Sequence, residues 1–123
     1  MNKTLTGKLA HLAGANAEFQ VAADYTRRGH RFVAQRWRSK AGEVDLIFNN
    51  DGDEVIFVEV KKARNFSDAA RRISARQQQR ICLAAEEYLG TQPRGALTPM
   101  RDDAAFVNGF GEVHILENAI GDF

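Results

Sequence analysis

The stretch from Gly42 to Lys61, GEVDLIFNNDGDEVIFVEVK, constrains the fold of this chain more than any other. Val44, Leu46, Ile47 and Phe48, and then Val55, Ile56, Phe57 and Val58, are strand-forming runs, and Asn-Asp-Gly between them is turn chemistry. Each run also carries charge: Asp45 in the first, Glu59 and Lys61 at the end of the second. Charged groups within strand sequence are costly to desolvate unless they are paired or bind something. Strand alternation sets Glu59 and Lys61 on one face. Two carboxylates can hold a hard divalent cation, and a neighbouring ammonium can stabilise or orient an anionic oxygen, as magnesium-dependent phosphodiester hydrolysis requires. The same residues also suit a structural ion-pair cluster at a sheet end.

The turn decides whether the acids meet. A two-residue Asp51-Gly52 turn sets Asp45 opposite Val58, facing away from Glu59. A three-residue loop, Asn50-Asp51-Gly52, sets Asn49 opposite Asp53 and gives Gly52 the left-handed position. Asp45 then faces Phe57 and lies diagonal to Glu59, about 7–8 Å away at the backbone. The chemistry requires both acids on one face, so the second register is the one predicted.

Around this hairpin the pattern predicts a helix over 14–28 ending at Gly29, a strand over 30–38, and hairpin strands over 43–49 and 53–61. A long helix follows over 67–89, with Ser67 as cap and Gly90 as end. Short strands over 104–107 and 113–116 flank the Asn108–Gly111 turn. The order α-β-β-β-α-β-β predicts an α/β fold with a central mixed sheet flanked by helices. Residues 1–13 read as a polar arm and 14–123 as one domain. Glu18 falls on the apolar stripe of the first helix, where it is either a surface acid or a further carboxylate aimed at the sheet.

The chain has 123 residues and a net charge of +1, so composition alone does not announce a nucleic-acid partner. Distribution says more. Tyr25 to Gly42 holds six basic residues and no acid, Lys61 to Arg80 holds seven against Asp68, and Glu86 to Phe123 holds seven acids against two arginines. Twelve of the 17 basic residues are arginine, the type suited to forked phosphate contacts. Arg36, Arg38, Lys62, Arg64, Arg76 and Arg80, with the amides Gln77 and Gln78, are the candidate nucleic-acid contacts. No apolar run reaches the ~20 residues of a membrane span, and the first residues do not read as a signal peptide. Cys82, the single cysteine, excludes an internal disulfide and suits a reducing compartment, so a cytoplasmic location is expected. The three histidines show no zinc-ligand spacing.

The sequence resembles the YraN family of bacterial endonuclease-like proteins, which looks like a minimal branch of the PD-(D/E)XK nuclease superfamily. The resemblance runs from about Gly14 to the C-terminus. It is carried by GEVDLIF with IFVEVK, by AAEEYL at Ala84–Leu89 and by VHILENAI. Departures fall at Ala17, Arg36 and Gln77, where the family often has glycine, asparagine and lysine, and the acid set is intact. The resemblance implies a restriction-endonuclease-like fold, with Glu18 at the first-helix glutamate, Asp45 at the motif aspartate and Glu59 and Lys61 at the E-x-K pair. The expected activity is metal-dependent hydrolysis of phosphodiester bonds in DNA, branched or processed intermediates included. Asp45 and Glu59 would hold Mg²⁺ or Mn²⁺ with the Val60 carbonyl, Glu18 would ligate directly or through water, and Lys61 would orient the attacking water. The alternative is a non-catalytic module that binds nucleic acid or a partner on the same fold. A homodimer and an unidentified protein partner both stay open.

Overall fold

The computed structural model describes residues 16–67 and 73–120. The expected N-terminal arm lies outside the described residues, as does the segment 68–72. The elements run α1 (Asn16–Arg27), β1 (Arg31–Arg38), β2 (Glu43–Asn49), β3 (Val55–Lys62), α2 (Ala75–Leu89), a 3-10 turn (Gly95–Leu97), β4 (Met100–Val107) and β5 (Val113–Leu116). The strands form one five-stranded sheet in the order β1-β2-β3-β4-β5. Only β3 and β4 run parallel, joined through α2, and every other pair is antiparallel. This is the expected α/β architecture with a mixed sheet, consistent with a restriction-endonuclease-like fold.

The sheet is covered on both faces. α1 buries Val21, Ala22 and Tyr25 against Leu46, Phe48, Ile56 and Val58. α2 buries Ala84, Ala85, Tyr88 and Leu89 against Ile47, Val55 and Phe57 on the other side. A third cluster joins Ile73, Ile81, Ala104 and Phe106. β3 therefore reads as an uninterrupted apolar run because both of its faces lie under a helix.

Gly29 ends α1's turn at φ +93°, as expected of a glycine stop. Three expectations need correction. The first is the hairpin register. Asn49 pairs with Val55 rather than Asp53, and Leu46 with Val58, so β3 is displaced by two residues from the predicted pairing. The left-handed position belongs to Asp53 (φ +68°), not Gly52. The Asn50 side chain builds this loop: its Oδ1 accepts from the backbone N–H groups of Gly52 (2.9 Å) and Glu54 (3.2 Å). An aspartate tolerates the left-handed region well enough to follow. Because the displacement is even, no side chain changes face, and Asp45 and Glu59 keep the common side that the predicted register gave them.

The second is the start of α2. Ser67 is not its cap; its hydroxyl donates to Asn65 Oδ1 at 2.7 Å. Ser74 is the cap. Its Oγ accepts the Gln77 N–H, and Gln77 Oε1 accepts the Ser74 N–H, each at 3.1 Å. This reciprocal pair satisfies two donors that a helix start otherwise leaves unmade, so the helix begins there.

The third is β4, which begins at Met100 and takes in Asp102 and Asp103. Asp103 is fully buried. Its carboxylate accepts from the Tyr25 hydroxyl (2.6 Å), Arg101 Nε (3.1 Å) and the Asn118 N–H (2.8 Å). These donors offset the desolvation of the charge. The contact also ties α1 to β4 across the core. Burial, and then the Asp103 charge, push the Tyr25 hydroxyl far above its usual range, so Tyr25 acts purely as a donor here. Replacing Tyr25 with Phe removes one donor from a buried carboxylate. It is expected to lower unfolding free energy by about 1–3 kcal/mol with an unchanged m-value, read by urea denaturation.

Candidate active site

The candidate site is a fork in the sheet. The β2–β3 ladder runs from Asn49–Val55 to Leu46–Val58 and stops. Beyond that point β2 stays with β1, through Trp37–Val44 and Arg38–Glu43. β3 stays with β4, from Glu59–Ala104 to Lys62–Val107. Asp45 and Glu59 are the first residues past the split. Asp45 Oδ2 accepts the Val60 N–H at 2.7 Å, so a carboxylate fills the place where a strand carbonyl would continue the ladder. Lys61 Nζ lies 3.7 Å from Glu59 Oε1, on the face that alternation assigned to it.

The local sequence explains why β2 turns here. Val44 and Ile47 are three apart, yet both join the α2-side cluster, which regular alternation forbids. On the facing strand, Arg36 has a positive φ of +48°, between the pairs Gln35–Leu46 and Trp37–Val44. Left-handed backbone at a non-glycine residue costs on the order of 1–3 kcal/mol, and such positions concentrate at functional sites. Higher in β1, a register shift between Phe32 and Ala34 adds to the irregularity.

Burial and like charge dominate the electrostatics. Desolvation raises the Glu59 carboxyl well above the ordinary carboxylate range, the Asp45 charge raises it further, and Lys61 opposes both. Desolvation raises Asp45 as well; the Val60 N–H holds it down and the Glu18 charge pushes it up. The two acids therefore bind a proton more tightly than either would alone, the behaviour of carboxylates that share a small volume.

Glu18 approaches from the first turn of α1, but it does not join the pair directly. Its Oε2 accepts from Arg36 Nη2 at 3.1 Å, and its Oε1 is buried without a hydrogen-bond partner. Among the described residues, no three His, Cys, Asp or Glu side chains stand together as a metal-ligand set. The donors present still fit a hard divalent cation. Two oxygen ligands converge at the fork with raised proton affinity, Glu18 Oε1 is a buried acceptor in search of a donor or a cation, and the Val60 backbone lies between them.

The other sequence candidates divide among several places. Gln77 and Arg80 line a cleft of about 210 Å³ with Glu59, Glu43 and Gly42, so α2 does bring an amide and a guanidinium to the acids. Gln78 instead donates to the Ile73 carbonyl at 3.1 Å. Lys62 and Arg64 line a separate, larger cavity on the α1 side. Arg36 is held by Glu18, and Arg38 pairs with Glu43 at 3.1 Å on the surface. Arg76 is exposed on the first turn of α2.

Sequence reasoning overlooked Asp102 and Asp103. The signal was the one that exposed Asp45, namely acids contiguous with strand sequence, here in MRDDAAFV. Asp102 Oδ1 is buried without a partner, and burial, then the Asp103 charge, push this carboxyl up to about 7. Cys82 Sγ lies 3.9 Å from it. Burial, then the Asp102 and Glu86 charges, raise the thiol to about 11, so little of it is present as the reactive thiolate near neutral pH.

The raised proton affinity of the acid pair has a sign that can be checked. Below the unfolded carboxylate range, about pH 4, the pair is protonated in both states and costs nothing. As pH rises through the folded-state range, the folded protein must surrender protons from a buried site, and stability falls. Glu59→Gln is expected to match wild type in thermal melts near pH 4 and to exceed it by on the order of 1–2 kcal/mol at mildly alkaline pH, in chelator. A variant less stable at every pH would show that Glu59 is held by favourable structural contacts instead.

Residues 17–107 match the family model described as Uncharacterised protein family UPF0102. Over 115 residues the chain is 52% identical to a UPF0102 protein of Ruegeria pomeroyi, covering 94% of this chain and 93% of that protein. A UPF0102 protein of Cereibacter sphaeroides is 49% identical over 115 residues, with 94% and 97% covered. One of Roseobacter denitrificans is 47% identical over 116 residues, with 94% and 89% covered. By this family match and by near-complete coverage of relatives about half identical to it, the chain belongs to the UPF0102, or YraN, family, with which membership of the PD-(D/E)XK nuclease superfamily is consistent.

Proposed function

We propose that this protein is a divalent-metal-dependent nuclease that hydrolyses phosphodiester bonds in DNA. The observation that carries the reading is the meeting of Asp45, Glu59 and Lys61 where β2 and β3 part. Asp45 and Glu59 would hold Mg²⁺ or Mn²⁺ together with the Val60 carbonyl, and Glu18 would add a carboxylate once Arg36 releases it. The ion would supply Lewis-acid activation of the phosphodiester.

The chain's own residues supply the rest. The Val60 N–H fixes Asp45 Oδ2, so one carboxylate oxygen is oriented in advance and the other is left for a ligand. Lys61 Nζ, beside Glu59, orients a water and donates to a non-bridging phosphate oxygen as charge develops on it. The water oxygen bonds to phosphorus while the bond to the leaving sugar oxygen breaks; the water loses one proton to solvent and the leaving oxygen gains one. Arg80 and Gln77 face the same cleft and hold the phosphate backbone. Arg36 meets that backbone when it leaves Glu18. Arginine and lysine contacts of this kind make binding weaken steeply as salt is added.

One observation favours the non-catalytic alternative: Glu18 is already neutralised by Arg36. That reading predicts DNA affinity indifferent to chelator and no cleavage. Plasmid, single-stranded and junction DNA incubated with Mg²⁺ or Mn²⁺ tests the difference. Wild type is expected to cut at least one substrate, and Lys61→Ala and Asp45→Asn are expected to lose about a hundredfold or more in rate. Equal behaviour of wild type and Lys61→Ala on every substrate refutes the assignment. Calorimetry with Mn²⁺ checks the ion directly: wild type binds, Asp45→Asn binds at least about tenfold more weakly, and affinity rises with pH as the acid pair sheds its proton.

A further inference from the structure

A cavity distinct from the acid cleft opens on the α1 side of the sheet. It has a volume of about 690 Å³ and lies beside the C-terminal ends of the parallel strands β3 and β4. Lys62 and Arg64 supply positive charge on one wall, Gln20 of α1 supplies an amide, and the Asn108–Gly111 turn closes the far side with Phe110. No acid lines it. Lys62 follows Lys61 on β3, so strand alternation turns it to the α1 face, opposite the face that carries Glu59 and Lys61.

Phe110 is 90% exposed. A lone exposed aromatic is unremarkable by itself. Here its backbone is held rigidly. Asn108 Oδ1 accepts from both the Phe110 and Glu112 N–H groups at 3.0 Å, Asn108 Nδ2 donates to Glu112 Oε1 at 2.7 Å, and Gly111 takes a φ of +77°. The turn thus presents a preorganised, water-facing ring across a concavity from two cations. An aromatic face beside paired basic side chains is the recognition chemistry of an unstacked nucleobase and its phosphates.

We infer that this cavity is a nucleotide-binding subsite, in which Phe110 stacks on an unpaired base of a nucleic-acid strand while Lys62 and Arg64 hold the adjacent phosphates. The inference rests on the nuclease reading above and narrows its substrate to DNA that carries a single-stranded or frayed segment able to reach the α1 face. A fully paired duplex keeps its bases stacked and offers Phe110 nothing to cover.

Fluorescence anisotropy in chelator, with a labelled single strand and the same sequence as a blunt duplex, tests this separately from cleavage. Phe110→Ala is expected to weaken single-strand binding by about fivefold or more and to leave duplex binding within about twofold, with Phe110→Trp restoring the single-strand affinity. Lys62→Ala is expected to weaken binding to both. 2-Aminopurine in the strand is expected to be quenched by wild type and not by Phe110→Ala. Because Phe110 is exposed, its truncation leaves the melting temperature unchanged, which a thermal melt verifies. Equal single-strand affinity for wild type and Phe110→Ala overturns the subsite and leaves the nuclease reading standing. A wild type that binds neither DNA overturns both.

Discussion

A single hydrogen bond, from the Val60 N–H to Asp45 Oδ2, marks where this sheet stops being a continuous ladder. Every backbone donor in a half-buried strand needs an acceptor. When β2 leaves β3 to follow β1, the next donor on β3 would be stranded. Asp45 supplies the missing acceptor from its side chain, so the fork stays open without an orphaned amide. The same contact brings Asp45 to Glu59 and concentrates negative charge at the gap. Structure and prospective chemistry at this point have one cause.

Holding two acids there works against stability. Both carboxyls are pushed up by desolvation, and each charge disfavours its neighbour. The surroundings tolerate this because the rest of the sheet is deeply buried on both faces, with Leu46, Ile47, Phe48, Ile56, Phe57 and Val58 all at or near zero exposure. Elsewhere in the core the chain treats buried charge differently. Asp103 receives three kinds of donor and is structurally satisfied. At the fork Asp45 has the Val60 N–H and Glu59 has Lys61, while Glu18 Oε1 has no hydrogen-bond partner. On the proposed reading, that unmet oxygen is one available to a ligand.

On the proposed reading, the acid pair and the cavity on the α1 face divide the work of a substrate site. Asp45, Glu59 and Lys61 stand on strands, where backbone pairing limits their movement. Phe110 stands on a turn, but one fixed by its own side-chain hydrogen bonds. Arg36 is held by Glu18, and on the proposed reading it would exchange that carboxylate for the phosphate backbone of a bound strand. Its left-handed backbone makes it the most strained position facing the fork.

The chain's own residues determined the element order, the two helix-covered faces and the presence of Asp45, Glu59 and Lys61 on one side of the hairpin. These follow from apolar periodicity and from the two-residue repeat of a strand, which are local properties. The exact pairing did not follow, because Asn50 built the loop with its side chain and moved the left-handed residue to Asp53. The start of α2 was written in the Ser74–Gln77 capping box, but an earlier serine competed for the role. The Asp102–Asp103 pair was legible only as a repeat of the Asp45 pattern, and its partners Tyr25 and Asn118 come from distant parts of the chain. Likewise, only tertiary structure decided that Glu18 would meet Arg36, that β2 and β3 would separate after Leu46 and Val58, and that Lys62, Arg64 and Phe110 would share one cavity. Periodicity can state which side of an element a residue occupies. Which distant residue stands opposite it depends on how strands choose neighbours and how helices cross them, and that choice is made by the packing of the whole core.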